Sequence, residues 1–404
     1  MTSRPLALLA ALLALSGAAH AQQGGADVSP ALRPAVEAYR AGDLARAEAS
    51  LRTLAPGNPD AEAWLGAVLL ERGASRDGLR AIQRAADAGS AEGNHRLGLV
   101  YAQGLAGVPR DDKRAAELFA RAAAAGNMRA QVNLGILYLR GQGLPRDVVQ
   151  ARAWLEKAAV SGDPQALYTL GRALSEGGEQ VAPDPVRAAD LYRRAAEKGH
   201  ALAGLRYGLA LSEGVGIKRD LPAAQHWLMQ ARAQGIPEAA LALGDMAART
   251  PASRDKAVNE QIVQSALSWY QVAANGGVPS AQFKLANAYF AGVGVPRDQA
   301  QALRWYTRAA QQGLAAAQHA LALMLIGGVA GPADKVEGFK WLLLAERGGY
   351  PDSKTVRQKT AETLGDKDRR QAEALAQRFT PTLERPVEGA AQPAAAPARP
   401  APGR

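Results

Sequence analysis

The sequence predicts an all-α solenoid of about eight tandem helix-turn-helix repeats, and three observations carry that expectation. A Leu-Gly pair recurs as Leu65-Gly66, Leu97-Gly98, Leu134-Gly135, Leu170-Gly171, Tyr207-Gly208 and Leu243-Gly244, then as Leu285-Ala286 and Leu321-Ala322, in steps of 32, 37, 36, 37, 36, 42 and 36 residues. A bulky residue follows each pair, at Leu118, Trp154, Leu191, Trp227, Trp269, Trp305 and Trp341, with Ala81 in that place in the first unit. Eight residues beyond each of these lies a glycine: Gly89, Gly126, Gly162, Gly199, Gly235, Gly277, Gly313 and Gly349. No segment alternates apolar and polar residues as a half-buried strand would. At 404 residues the chain outgrows the ~300 residues that one core supports, so repetition is the economical solution.

In chain order, residues 1–21 read as an export signal: Arg4 is the lone charge, Leu6 to Leu15 is apolar, and Ala19-His20-Ala21 is a small-x-small cleavage site before Gln22. The apolar run falls short of the ~20 residues that span a bilayer, and no later segment is uncharged for so long, so no transmembrane segment is expected after cleavage. Residues 22–29 are expected to form a flexible N-terminus. The chain contains no cysteine, which removes disulfides, thiolate nucleophiles, cysteine metal sites and a lipid-anchored cysteine. The whole chain carries +10; removing the signal takes Arg4 and no acid, leaving 47 basic against 38 acidic residues, or +9. That balance favours an anionic partner, outside the cell an acidic polysaccharide or protein surface rather than nucleic acid.

Within each unit, Ala130, Ala166, Ala203, Ala239, Ala281 and Ala317 stand four residues before the Leu position, and Tyr101, Tyr138 and Tyr289 four after it, one face of a first helix, A. The Gly of the pair costs roughly 1 kcal/mol relative to Ala but lets a neighbouring helix approach. Helix A stops at Gly104, Gly141-Gln142-Gly143, Gly214-Val215-Gly216 and Gly292-Val293-Gly294, where a left-handed residue closes the turn. Asp111, Asp147, Asp184, Asp220, Asp298 and Asp334, seven residues before the bulky landmark, are placed to cap a second helix, B. Helix B carries thin alanine pairs such as Ala122-Ala123 and Ala309-Ala310, suited to close packing on the next helix A. Two units depart from the pattern. Residues 250–263 read as an enlarged A-to-B loop that projects on one face, and the last unit carries Gly327-Gly328-Val329-Ala330-Gly331.

These positions resemble the Sel-one-like repeat (SLR) family of the tetratricopeptide superfamily, whose unit runs A..LG..Y..G.GV..D...A..W...AA..G...A. Gln282 to Ala317 nearly spells it, as QFKLANAYFAGVGVPRDQAQALRWYTRAAQQGLAAA. The resemblance implies a right-handed superhelix with eight units over 61–353. Ahead of it, 30–60 keeps the Ala47, Leu51, Leu54 and Pro59 spacing of a plain tetratricopeptide hairpin. Residues 354–380 are expected as C-terminal capping helices, with Ala372, Leu375, Ala376 and Phe379 of the last one facing in, and 381–404 as a disordered Pro/Ala-rich tail. The resemblance further implies scaffolding of complexes, exported relatives assisting polysaccharide secretion among them. A lipid-anchored alginate-export scaffold is one such relative, but this chain lacks the anchoring cysteine; it also lacks the cysteines of a disulfide-linked secreted branch.

The residues offer no catalytic constellation. His95 and His319 hold the same register in units six apart, no Gly-rich loop follows a strand, and no serine recurs beside a histidine. No cofactor or metal is expected, and the chain is expected not to be an enzyme. By analogy with the superfamily, a concave binding face is lined from helix A at positions two before and two, five and six after the Leu. Those columns name His95, Tyr168, Phe283 and His319; Arg172, Asp245 and Asn287; and Gln103, Arg140, Glu176, Glu213 and Arg249. The expectation is an exported scaffold, periplasmic or secreted, holding envelope proteins through that face. Direct binding of an anionic glycan is the alternative, suggested by charge and by Tyr168 and Phe283; a hydrolase of envelope polymers is suggested by compartment alone.

Overall fold

A computed structural model describes residues 28–178 and 181–384; residues 1–27, with the expected export signal at 1–21, residues 179–180 and residues 385–404 lie outside it. Twenty α-helices account for the described fold, a helical-repeat solenoid. They run α1 Arg33–Arg40, α2 Leu44–Leu54, α3 Pro59–Glu71, α4 Ser75–Asp87, α5 Ala91–Gln103, α6 Asp112–Ala124, α7 Met128–Arg140, α8 Val148–Ala159, α9 Pro164–Glu176, α10 Pro185–Glu197 and α11 Ala201–Glu213. The second half follows as α12 Leu221–Ala233, α13 Pro237–Ala248, α14 Lys256–Asn275, α15 Pro279–Ala291, α16 Gln299–Gln311, α17 Ala315–Ile326, α18 Lys335–Arg347, α19 Ser353–Glu362 and α20 Asp366–Arg378. They gather into two compact units, divided between Arg219 and Asp220. Inside each unit, helix A packs on helix B of the same repeat and B on the next A.

The punctuation works as its chemistry demands. Each of Asp111, Asp147, Asp184, Asp220, Asp298 and Asp334 accepts a hydrogen bond from the amide three residues on, at 2.9–3.0 Å, satisfying one of the free donors that open helix B. The eight glycines that end helix B all have φ between +69° and +92°, a region costly for any residue with a Cβ. A recurring amide ties these turns down. Three residues before the Leu, Asn94, Gln131, Gln282 and Gln318 each donate from the side chain to the carbonyl eight residues earlier, at 3.2–3.5 Å.

The Leu-Gly glycine meets not the bulky landmark but the residue after it. A Cβ on Gly98 would stand 2.7 Å from Phe119, on Gly135 2.7 Å from Leu155, on Gly171 2.8 Å from Tyr192 and on Gly244 2.6 Å from Tyr270. The landmark side chains sit on the adjoining stripe, with Trp154, Trp227, Trp269 and Trp305 only partly buried. Full burial of the Leu positions, among them Leu134, Leu285 and Leu321, contributes about 2 kcal/mol each.

Four sequence expectations need correction. Residues 250–263 are not an enlarged loop: Asp255 caps a helix of 20 residues, α14, which takes up the extra chain as added helical turns. Its cap stands fourteen residues before Trp269, twice the usual seven, so the register is kept. Leu375 on α20 faces solvent, whereas Ala372 and Ala376 are buried and Phe379 packs edge-on against Trp341 at 5.3 Å. Val28, assigned to the flexible N-terminus, is buried against Leu32 and Val36. The tail does not leave the fold at 381, since Thr382 N–H donates to the Gln311 carbonyl at 3.0 Å and Glu384 binds Arg308.

Candidate interaction surface

Helix positions −5, −1, +2 and +6 from the Leu are spaced by four, three and four residues, so they share one stripe of helix A. The superfamily columns captured +2 and +6 and missed −1 and −5. In the first unit the missed columns supply its most developed polar cluster. Arg96 lies flat over Trp64, 3.8 Å from the ring centre, and pairs with Glu92 one turn back at 2.7 Å. Arg129 from the next repeat stands 5.7 Å from the same ring and 3.9 Å from Glu92. Asn127 donates to the other Glu92 oxygen at 3.1 Å, and Tyr39 meets Trp64 edge-on at 5.5 Å. Arg96 and Glu92 keep 11% and 12% of their side-chain exposure, so this pair is close to internal.

Burial opposes charge on Glu92, yet Arg96, with His95 and Arg129 beyond it and the Asn127 amide, brings its carboxyl down to about 2. Burial pushes the neighbouring His95 down to about 4 against the pull of Glu92, so its ring is neutral near pH 7. A neutral ring suits its contact, in which the Asn133 amide lies 3.2 Å from Nε2.

The sequence-predicted residues divide by burial. His95, Tyr168 and His319 are 4%, 8% and 8% exposed and lie beneath the surface, not along it. Position −2 turns toward helix B and the following repeat, which explains their partners: Tyr168 stacks on His200 at 4.5 Å, and His319 Nδ1 meets the Ser353 hydroxyl at 2.9 Å. Burial lowers the His319 pKa, with Asp352 opposing. Phe283 is half-buried, its ring 5.7 Å from that of Tyr306. Asp245 and Asn287 accept the hydroxyls of Tyr270 and Tyr306, so part of their polarity is spent within their own hairpins. Burial raises both phenols, that of Tyr306 to about 12. Lys284, another −1 residue, pairs with Asp245 at 3.2 Å. Gln103, Arg140, Glu176, Glu213 and Arg249 are exposed at the C-terminal ends of their helices, and Arg172 pairs with Glu176 at 3.1 Å.

Within the first unit the stripe presents guanidinium and amide groups from successive A helices, and within the second an ammonium group from Lys284. Among the described residues no three His, Asp or Glu side chains gather as metal ligands, and no helix is long and apolar enough to cross a membrane.

The model of a family described as Sel1 repeat matches residues 59–90, 91–127, 129–163, 164–200, 202–236, 261–278, 279–314 and 315–350. The sixth match is short, beginning inside the lengthened α14. The chain is 31% identical over 232 residues to the chitin synthase regulator SKT5 of Saccharomyces cerevisiae, covering 55% of this chain and 32% of that one. It is 34% identical over 101 residues to the ERAD-associated E3 ubiquitin-protein ligase component HRD3B of Arabidopsis thaliana, covering 25% and 16%. The chain thus spans about a third or less of the length of these relatives. The crystal structure of a Sel1 repeat protein from Oxalobacter formigenes superposes with a TM-score of 0.58 at 32% identity, covering 76% of this chain and 88% of that one.

Proposed function

Because this chain belongs to the Sel1 repeat family, whose members act in protein–protein interaction or scaffolding, we propose that it is an exported adaptor of the bacterial envelope. Its helix-A stripe holds the protein partner. The observation that carries this reading is the stripe itself: Arg129, Arg140 and Arg172 recur along successive A helices of the first unit with their guanidinium groups at least partly open to a partner. Export rests on the pattern of residues 1–21. The likeness to a regulator of chitin synthase supports a polysaccharide-secretion complex as the place of work.

The test is chemical crosslinking from Arg140 and Arg172 positions in envelope fractions, with the captured partner then titrated against purified chain. Charge reversal at Arg129, Arg140 and Arg172 should weaken that partner on the order of ten-fold or more, since hydrogen bonds to charged groups are the costly ones to lose. A partner bound equally well by the reversed variant would remove the stripe from consideration, and a protein found only in the cytoplasmic fraction with Met1 intact would remove export. Binding of an anionic glycan keeps the support of the +9 charge left after signal removal but loses Tyr168 as a stacking platform, because that ring is buried. Retention on acidic polysaccharide that disappears with added salt would favour it.

A further inference from the structure

The second unit carries a surface that is already gripping a peptide. After α20 the chain turns back as an extended strap, residues 379–384, and crosses the C-terminal end of α16 to reach the start of α15. It is held at three points. The Phe379 ring stands against Trp341 under the Lys340 ammonium, which lies 4.1 Å from the indole. The Thr382 N–H donates to the Gln311 carbonyl, one of the acceptors that α16 leaves open at its end. The Glu384 carboxylate takes three hydrogen bonds from Arg308, at 2.9, 3.2 and 2.6 Å, and one from Gln282 at 2.7 Å.

The receiving groups are prepared for a carboxylate. Arg308 is stacked over Trp305 at 4.5 Å, which fixes its fork. Gln282 is fully buried, and its amide oxygen accepts from Gln312, whose own side-chain oxygen accepts from the Glu384 N–H at 3.2 Å. The strap is lightly held elsewhere: Leu383 is 80% exposed and offers nothing to the core. Beside it lies a cleft of about 630 Å3, floored by Leu303, Leu321 and Leu325 and walled by Phe379 and Thr382 of the strap itself.

The geometry points to a second binding site in this protein, one for an extended acidic peptide with an aromatic residue five positions before a Glu or Asp, with residues 379–384 as its tethered occupant. The aromatic enters beside Trp341, the main chain pairs with Gln311, and the carboxylate docks on Arg308 and Gln282. The tether places the occupant at an effective concentration in the millimolar range, so a partner must either bring more contacts, through the adjoining cleft, or meet a chain whose strap has been released. This site is separate from the helix-A stripe and stands or falls without it.

The test uses the full chain with its strap released by Phe379→Ser, Thr382→Pro and Glu384→Ala, and a fluorescent, C-terminally amidated copy of residues 378–384 as the probe. Anisotropy should rise on titration with the released chain, and the unsubstituted chain should bind roughly ten-fold more weakly or worse. Adding Arg308→Glu to the released chain, or replacing the glutamate of the probe by glutamine, should each cost on the order of ten-fold or more. Far-UV circular dichroism reports whether the released chain is folded. Should it lose helix, the chain carrying Thr382→Pro and Glu384→Ala alone, probed with residues 380–384, reads the carboxylate end of the same site. No binding to a folded released chain, or binding indifferent to Arg308, overturns the proposal; so does equal binding to the unsubstituted chain, which would place the probe elsewhere.

Discussion

Each unit of this molecule contains an arginine stacked on a tryptophan and paired with a glutamate, and the two arrangements do different work. In the first, Arg96 covers Trp64 and takes Glu92 from its own helix, one turn away, with little of either side chain exposed. In the second, Arg308 covers Trp305 and takes Glu384 from a strap 76 residues on, with 34% and 23% of the two side chains exposed. The local pair needs no chain closure and is flanked by Arg129, Asn127 and Tyr39, so it is a fixture of the fold. The remote pair depends on an extended segment whose main chain is held only through the Thr382 and Glu384 N–H groups, so its carboxylate can be exchanged for another.

Removing the guanidinium tests the contrast most strongly. Arg96→Ala strands a buried carboxylate and should cost the first unit about 3 kcal/mol, read as a shifted denaturant midpoint. Acid should separate the two next. The folded value of His95 lies below that of the unfolded chain, so stability present above pH ~6.5 is lost as pH falls toward about 4. Glu92, held at about 2, takes over below the ordinary carboxylate range, its contribution present above pH ~4.5 and lost as pH falls further. Between pH 7 and pH 5 the first unit should weaken on the order of 1–2 kcal/mol through His95, and His95→Gln should flatten that slope. Double-mutant cycles should give a coupling above ~1 kcal/mol for Arg96 with Glu92 and below it for Arg308 with Glu384. The smallest effect belongs to Arg308→Ala, within about 1 kcal/mol of unsubstituted stability. A loss for Arg308 as large as that for Arg96 would make the strap a structural element and erase the distinction.

What could be read in the residues was what is local. Aspartate caps, left-handed glycines and alanine pairs act within a few residues of themselves, so Asp298 and Gly313 disclose their roles by spacing alone. The Trp64–Arg96–Arg129 cluster went unread because its columns vary from repeat to repeat, and the columns borrowed from the superfamily passed one position to its side. The −2 column of the superfamily pattern points to His95 and Tyr168 as surface because it carries no information on how deeply the next repeat covers them. The strap was hidden by composition: a Pro-rich segment after a final helix reads as unanchored, and nothing near Glu384 announces a partner 76 or 102 residues earlier.

The doubled spacing from Asp255 to Trp269 bears on how such an array can change in length. Seven residues advance a helix by nearly two whole turns, leaving a phase error of ~20°. The sixth repeat, six residues longer than a 36-residue neighbour, therefore puts seven more into the span from cap to Trp269 and takes one from the preceding turn, and Tyr270 still faces Gly244; five extra residues in the helix would have swung that ring to the far side. Growth of these hairpins is thus quantised: an insertion survives inside a helix only in multiples that restore phase, and every other length has to be expelled into the turns.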